Sequence, residues 1–333
     1  MSDRDFDVAI VGASIAGCTA ATLLGRQGAR VALVESHGDP LAFKRVCTHG
    51  IQASAAPTLE RLGLLDAVTR AGARAEVHLW SRYGWIEPSR EYAKRLESPE
   101  YYGLNLRRET FDPMLRKLAA GTAGVELMLG QTATAVLRDG ERIGGLRVRN
   151  REGDERELHA ALVVGADGRG SRVAALAGQR TRVRVNNRFV YYAYYRDTPL
   201  VTGSSPQVWF MDPDMAYAFP TDGGLTLLAC VAHKNRLAGF KREPEAAMAR
   251  AYASVPDAPR LDPAKRESKI IGKLDMPNER RKPTGRGSPW SATRRWPPIR
   301  SGGSGAAGRC SRPSGSLKRR GRRSGARPSW TGR

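Results

Sequence analysis

The chain has 333 residues, with 55 Lys and Arg against 33 Asp and Glu and a formal net charge of +22. That length accommodates one large or two medium domains with full cores, and four scattered cysteines without a CxxC pair exclude a disulfide scaffold or a zinc ribbon. The charge is lopsided: residues 285–333 hold 13 Lys and Arg and no acid, which leaves only +9 on residues 1–284. No apolar run approaches the roughly 18 residues that span a bilayer, so no integral membrane association is expected. The opening "MSDRDFD" is acidic and runs straight into an apolar strand, unlike a secretory signal, and a soluble cytoplasmic protein is expected.

The first 35 residues are the most informative. "DVAIVG" is a short, continuously apolar run, as expected of a strand buried on both faces of a parallel sheet. It enters Gly12-Ala13-Ser14-Ile15-Ala16-Gly17 and an Ala/Leu-rich helix through about Gln27, with Gly28 as its left-handed stop. "ARVALVE" is a second strand ending in Glu35. Gly12 permits a tight strand-to-helix turn and Gly17 a close approach of helix to sheet, so the helix N-terminus can present free N–H groups to a pyrophosphate. Ser14 stands where a middle glycine is usual. Glu35 is placed to accept hydrogen bonds from a ribose with a free 2′-OH. This βαβ unit marks a dinucleotide site, but FAD and NAD are not distinguished by it.

Further along, Leu59, Leu62 and Leu65 recur at helical spacing after a Pro-containing start, and short alternating segments follow in "AEVHLWSR" and "GWIEPS". "LNLRRETFDPMLRKLAA" predicts a helix from near Thr110. Residues 124–165 read as a β-meander returning to a buried strand, "AALVVGADG", which carries a second Gly-rich turn. In "FVYYAYYR" the alternation puts Tyr191 and Tyr195 on one face and Tyr192 and Tyr194 on the other, one pair toward a core or pocket. His49, His78 and His159 are isolated in loop or strand contexts, and Cys18 is expected as a small buried hydrophobe.

With these motifs in this order, residues 5 to about 284 resemble the FAD-dependent monooxygenases of the p-hydroxybenzoate hydroxylase type, with the related geranylgeranyl reductases and flavin halogenases. The resemblance implies that Gly12, Ser14, Ile15, Ala16, Gly17 and Glu35 form the first FAD motif. It further implies that Arg45 lies in a loop alongside the flavin, and that Arg108, in the R-x-x-L-D position with Phe111 for Leu, lies near the phosphates. Gln131 through Val136 would line the adenine. Asp167 and Gly168, with Ser171 and Arg172, match the motif that touches the pyrophosphate. "AYAFPT" lacks the Trp-x-Trp-x-Ile-Pro element of the halogenases. The resemblance further implies NADH or NADPH as electron donor, O₂ and a small-molecule substrate. The cofactor carries the redox chemistry and the protein orients it. No side chain is assigned as an acid or base.

The C-terminal stretch breaks the pattern. Residues 285–333 contain 10 Gly, 9 Ser and 5 Pro, and of the large aliphatics and Phe only Ile299 and Leu317, too little apolar surface to offset ordering. The resemblance calls here for a third FAD element, Gly-Asp-Ala-Ala followed by Asp-Pro. From Gly287 the codons read one base out of register can spell "LALVGDAALATDPLWGVG", so the segment is read as out of frame. Its absence implies a chain that is inactive as written. The expected architecture is α/β: a Rossmann-like FAD-binding domain (GR2-type, residues 1–180, with an inserted antiparallel segment at about 76–104) interleaved with a smaller mixed α+β substrate domain (181–284, mainly β-sheet), then a disordered C-terminal tail (285–333). The competing readings are a prenyl reductase and a basic-tailed nucleic-acid-binding protein. The oligomeric state is not legible.

Overall fold

The computed structural model describes residues 4–75, 77–87, 102–282, 284–285 and 288–289. A parallel sheet forms around β1 (Phe6–Val11), flanked by β2 (Val31–Glu35) and then β8 (Val125–Leu129) on one side and β11 (Glu155–Gly165) on the other. β1 is apolar at every position but one because both of its faces are covered. Val8 and Ile10 pack under α1 (Ile15–Gly25) and α4 (Arg108–Ala120), while Ala9 and Val11 pack onto an antiparallel layer below.

That lower layer is β9 (Thr132–Asp139), β10 (Arg142–Arg149) and the first half of β11. β11 is one long strand with two roles: Glu155–His159 pairs with β10 in the meander, and Ala160–Gly165 pairs in parallel with β1. Residues 125–129, expected within the meander, instead form the parallel edge beside β2. The helix expected across Leu59–Leu65 is two helices. Gly63, at φ +72°, ends α2 (Ala56–Leu62) before α3 (Leu65–Ala71) begins. α4 starts at Arg108, two residues before the expected position.

The second unit is a seven-stranded sheet in the order β17-β13-β16-β15-β14-β5-β6. Its centre is β13 (Arg188–Arg196), β16 (Leu225–His233), β15 (Asp214–Pro220) and β14 (Gln207–Met211). β17 (Ile271–Lys273) closes one edge. The other edge is β5 (His78–Ser81) and β6 (Gly84–Trp85), taken from the N-terminal half. β5 runs parallel to β14, Trp80 opposite Trp209, so the insertion at 76–104 is not wholly antiparallel and part of it belongs to this sheet. Residues 88–101 of that insertion lie outside the described residues. Its last part, β7 (Gly103–Asn105), joins β3 (Gly50–Ile51) and β4 (Ala73–Ala75) in a three-stranded sheet.

Both faces of the seven-stranded sheet are covered. Phe189, Trp209 and Tyr195 pack under α6 (Leu237–Arg242) and α7 (Pro244–Ala253), while Tyr192, Tyr217, Phe219 and Leu227 line the opposite face, toward Val46. Within the segment expected to be disordered, β19 (Thr284–Gly285) and β20 (Ser288–Pro289) pair in a short antiparallel ladder; residues 290–333 lie outside the described residues. Among the described residues no helix is long and apolar enough to cross a membrane.

Candidate functional site

The turn between β1 and α1 needs its glycines for reasons of space. Gly12 has φ +102°, and a Cβ there would lie 2.6 Å from the Ala166 carbonyl oxygen. A Cβ on Gly17 would lie 1.8 Å from the Gly12 oxygen. The turn is thereby pressed against the start of the second Gly-rich turn, where the Ala166 N–H donates to the Val11 carbonyl at 2.8 Å. Ser14 is the N-cap of α1 but makes no side-chain capping bond, and Ile15 and Ala16 behind it are exposed. A helix end with uncapped N–H groups and open access attracts an anion.

Why Ser14 does not cap its own helix is answered by Arg108. The buried guanidinium donates from Nη2 to Ser14 Oγ at 2.5 Å, and from Nε and Nη2 to the two oxygens of Asp112 at 2.7 and 2.9 Å. Burial works against the Arg108 charge, and the bonds to Asp112 outweigh it, holding the guanidinium above its ordinary value. One further turn along α4, buried Arg116 donates from Nε to the Ala13 carbonyl at 2.9 Å, from Nη2 to that of Ala42 at 2.6 Å, and from Nη1 to that of Pro40. The Ala13 peptide is held from both sides, because its N–H donates to Glu35 Oε2 at 2.9 Å. Glu35 Oε1 accepts from the His37 N–H, also at 2.9 Å. A carboxylate offers about four lone-pair sites, so Glu35 retains capacity for a ribose hydroxyl.

Residues 40–49 connect this turn to the second sheet. The Lys44 N–H donates to Asp112 Oδ2 at 3.1 Å, and the Tyr192 hydroxyl donates to the Arg45 carbonyl. The Arg45 side chain is exposed. His49 is buried at φ +60°, its Nδ1 accepting the Arg108 backbone N–H at 3.1 Å and its Nε2 lying 2.5 Å from the Tyr194 hydroxyl. Asp222, between β15 and β16, caps α4 from a distance. It accepts from the Arg107 N–H at 2.8 Å and Thr110 Oγ1 at 2.6 Å and pairs with the Arg107 guanidinium at 3.1 Å. Burial opposes the Asp222 charge, yet these bonds hold its carboxyl below the usual range.

At the second turn, Gly168 has φ +89°. Asp167 accepts from Ser171 Oγ at 2.6 Å and the Val173 N–H at 3.1 Å, capping α5 (Arg172–Leu176). Of the residues expected at the site, Gly12 through Gly17, Glu35, Arg108, Asp167 and Gly168 meet around the two turns. Val136 packs against the core between sheet and meander, and the Gln131 N–H donates to the Glu35 carbonyl at 2.9 Å. Arg116, Asp112 and Asp222 were not expected, whereas Tyr194 belongs to one of the two tyrosine pairs expected on β13. A signal for two of them exists, since Arg108, Asp112 and Arg116 are four residues apart on the face that buries Phe111, Leu115 and Ala119. His49, expected to be isolated, is instead the bridge between the units.

The donor set fits FAD. It comprises an uncapped helix end, a turn with no room for a Cβ at Gly12 or Gly17, Arg108 and Lys44 as cations, and Glu35 for ribose. A family model described as "FAD binding domain" matches residues 5–202. The chain belongs to this FAD-binding family. Within it, the chain is 28% identical over 196 residues to the digeranylgeranylglycerophospholipid reductase of Picrophilus torridus, covering 58% of this chain and 46% of that protein. It is 30% identical over 174 residues to a squalene epoxidase of Schizosaccharomyces pombe, covering 50% and 37%. The matched region thus spans less than half the length of these curated relatives. Among solved structures, the myxobacterial chondrochloren halogenase superposes with a TM-score of 0.72 at 22% identity, covering 88% of this chain and 70% of that one. PqsL of Pseudomonas aeruginosa, described as a "probable FAD-dependent monooxygenase", superposes at 0.68 and 21%, covering 86% and 77%. At these identities the structural likeness establishes the shared fold of flavin monooxygenases and halogenases.

Proposed function

We propose that this chain carries the FAD site and substrate sheet of an NAD(P)H- and O₂-dependent monooxygenase that acts on a small apolar or aromatic molecule. The carrying observation is that residues 40–49 are anchored at one end to the phosphate turn, through Arg116 and Arg108, and at the other to the aromatic face of the second sheet, through Tyr192 and Tyr194. Bound FAD supplies the redox chemistry, accepting reducing equivalents from NADH or NADPH and activating O₂.

The chain's residues bind and orient. The N–H groups at Ser14, Ile15 and Ala16 face the pyrophosphate, and Gly12 and Gly17 allow the close approach. Glu35 accepts from the ribose. Arg108 supports the phosphate side through Ser14, with Arg45, Asp167 and Gly168 completing the surround. The apolar face of Tyr217, Phe219 and Leu227 keeps water from the substrate side.

A second reading, reduction of an isoprenoid double bond, is favoured by the relatives named as digeranylgeranylglycerophospholipid reductases. The chain loaded with FAD distinguishes them. Uptake of O₂ equimolar with NAD(P)H oxidation and with hydroxylation or epoxidation of the substrate supports the first, and anaerobic loss of a double bond with NAD(P)H oxidation supports the second. A chain restored in frame near Gly287 that still binds no FAD refutes both. The missing third element belongs to the same proposal: a gene restored in frame near Gly287 should yield a protein that retains FAD more tightly than the 333-residue chain.

A further inference from the structure

His49 occupies a backbone conformation that non-glycine residues seldom adopt, at φ +60°, and it is 3% exposed. Its two ring nitrogens have different duties. Nδ1 accepts the backbone N–H of Arg108, so it bears no proton. Burial first, then Arg108 and Arg107, outweigh Asp222 and keep the ring neutral, with its pKa lowered to about 4. A neutral imidazole has one N–H, which is therefore on Nε2 and donates to the Tyr194 hydroxyl oxygen at 2.5 Å.

The consequence falls on Tyr194. Its oxygen accepts the hydrogen bond from His49 Nε2–H, so its own O–H is directed elsewhere. Burial also keeps the phenol protonated. The neighbouring Tyr192 spends its O–H on the Arg45 carbonyl. Tyr194 is half-buried, on the sheet face that meets residues 44–49, with the Arg107 guanidinium 6.0 Å from its ring and that cation tied to Asp222. A phenol that accepts one hydrogen bond beside a cation becomes a stronger donor in the next.

We propose that His49 holds Tyr194 as an oriented hydrogen-bond donor on the aromatic face of the site, where its O–H binds an oxygen acceptor of the substrate. His49 is a positioning residue, and Tyr194 is the substrate contact. This rests on the reading of that face as the substrate side, and it narrows the substrate to an apolar or aromatic body bearing a hydroxyl or carbonyl oxygen. A pure hydrocarbon would leave the Tyr194 O–H without an acceptor there.

Two measurements on the full chain test it. Long-range ¹H–¹⁵N correlation on protein labelled at histidine reads the His49 ring directly. Protonated Nε2 and bare Nδ1 at pH 7 are expected, and a proton on Nδ1 or a cationic ring overturns the proposal. FAD-loaded chain is then titrated with 4-ethylphenol and with its oxygen-free isostere 4-ethyltoluene. The wild type should prefer the phenol by roughly 3- to 10-fold, the value of one hydrogen bond. Tyr194→Phe should lose that preference while binding FAD and 4-ethyltoluene as before. His49→Gln, which keeps an acceptor and a donor, should retain part of the preference, and His49→Leu should lose it. Preference undiminished in Tyr194→Phe, or no binding of either probe, overturns the proposal. Because the wild-type ring spectrum and probe preference need no variant, misfolding of a variant does not shelter it. If the 333-residue chain takes up too little FAD, the titration is run on the chain restored in frame near Gly287; failure of that chain to bind FAD counts against the proposed function, and the ring tautomer is then read on the FAD-free chain.

Discussion

Asp112→Leu removes the centre of the buried charge cluster on α4. Its carboxylate is 1% exposed and accepts three bonds, from Arg108 Nε and Nη2 and from the Lys44 N–H. The substitution leaves the Arg108 charge buried with only the Ser14 hydroxyl and the Cys47 sulfur among its described side-chain partners. Stranding one member of a buried pair costs about 3–5 kcal/mol, and the orphaned Lys44 amide pushes the value toward the upper end. That is a large share of the 5–15 kcal/mol typical of a folded domain. Replacing both members, Arg108→Met with Asp112→Leu, removes the unpaired charge and should recover most of the loss, to within about 1–2 kcal/mol of the wild type. The double variant should still bind FAD about 10-fold or more weakly, because the charge-assisted bond that turns Ser14 is gone. Urea unfolding of the FAD-free chain measures the first quantity and flavin fluorescence titration the second. A loss below 1 kcal/mol in the single variant, or a double variant no more stable than the single, would refute the assignment of a stranded charge.

Gly17→Ala should abolish FAD binding and lower the unfolding midpoint, since its Cβ would overlap the Gly12 carbonyl; Gly168→Ala, with open space but φ +89°, should cost only about 1–2 kcal/mol. Glu35→Ala should weaken FAD binding by about 1.5–3 kcal/mol, and unchanged affinity in a flavin titration would remove Glu35 from the ribose site. His49 is neutral in the fold and titrates near 6.5 when unfolded, so its contribution is present above pH 6.5 and lost as pH falls toward 4. The wild type should therefore lose about 2–3 kcal/mol more than His49→Gln across that window in pH-dependent urea unfolding. Asp167→Ala should cost about 1 kcal/mol through the lost cap on α5, measured the same way, and should also impair FAD retention.

The sequence by itself determined what is carried by neighbours along the chain. The β1–α1–β2 unit, its glycines and Glu35 lie within 30 residues, and each obeys a local rule of sterics or burial that the order of residues displays. The alternation in β13 was equally legible, though both tyrosine pairs proved to be covered because helices pack on one face and residues 44–49 meet the other. The split at Gly63 and the double duty of β11 were less legible, because apolar spacing alone does not say where a helix breaks or which strand a strand will meet. Tertiary structure alone decided the rest. His49 and Tyr194 are 145 positions apart, Arg107 and Asp222 are 115 apart, and β5 meets β14 across a similar gap. Such pairings follow from how sheets stack and which edges remain open, and a lone histidine or aspartate in a loop carries no periodicity from which a partner so distant could be read.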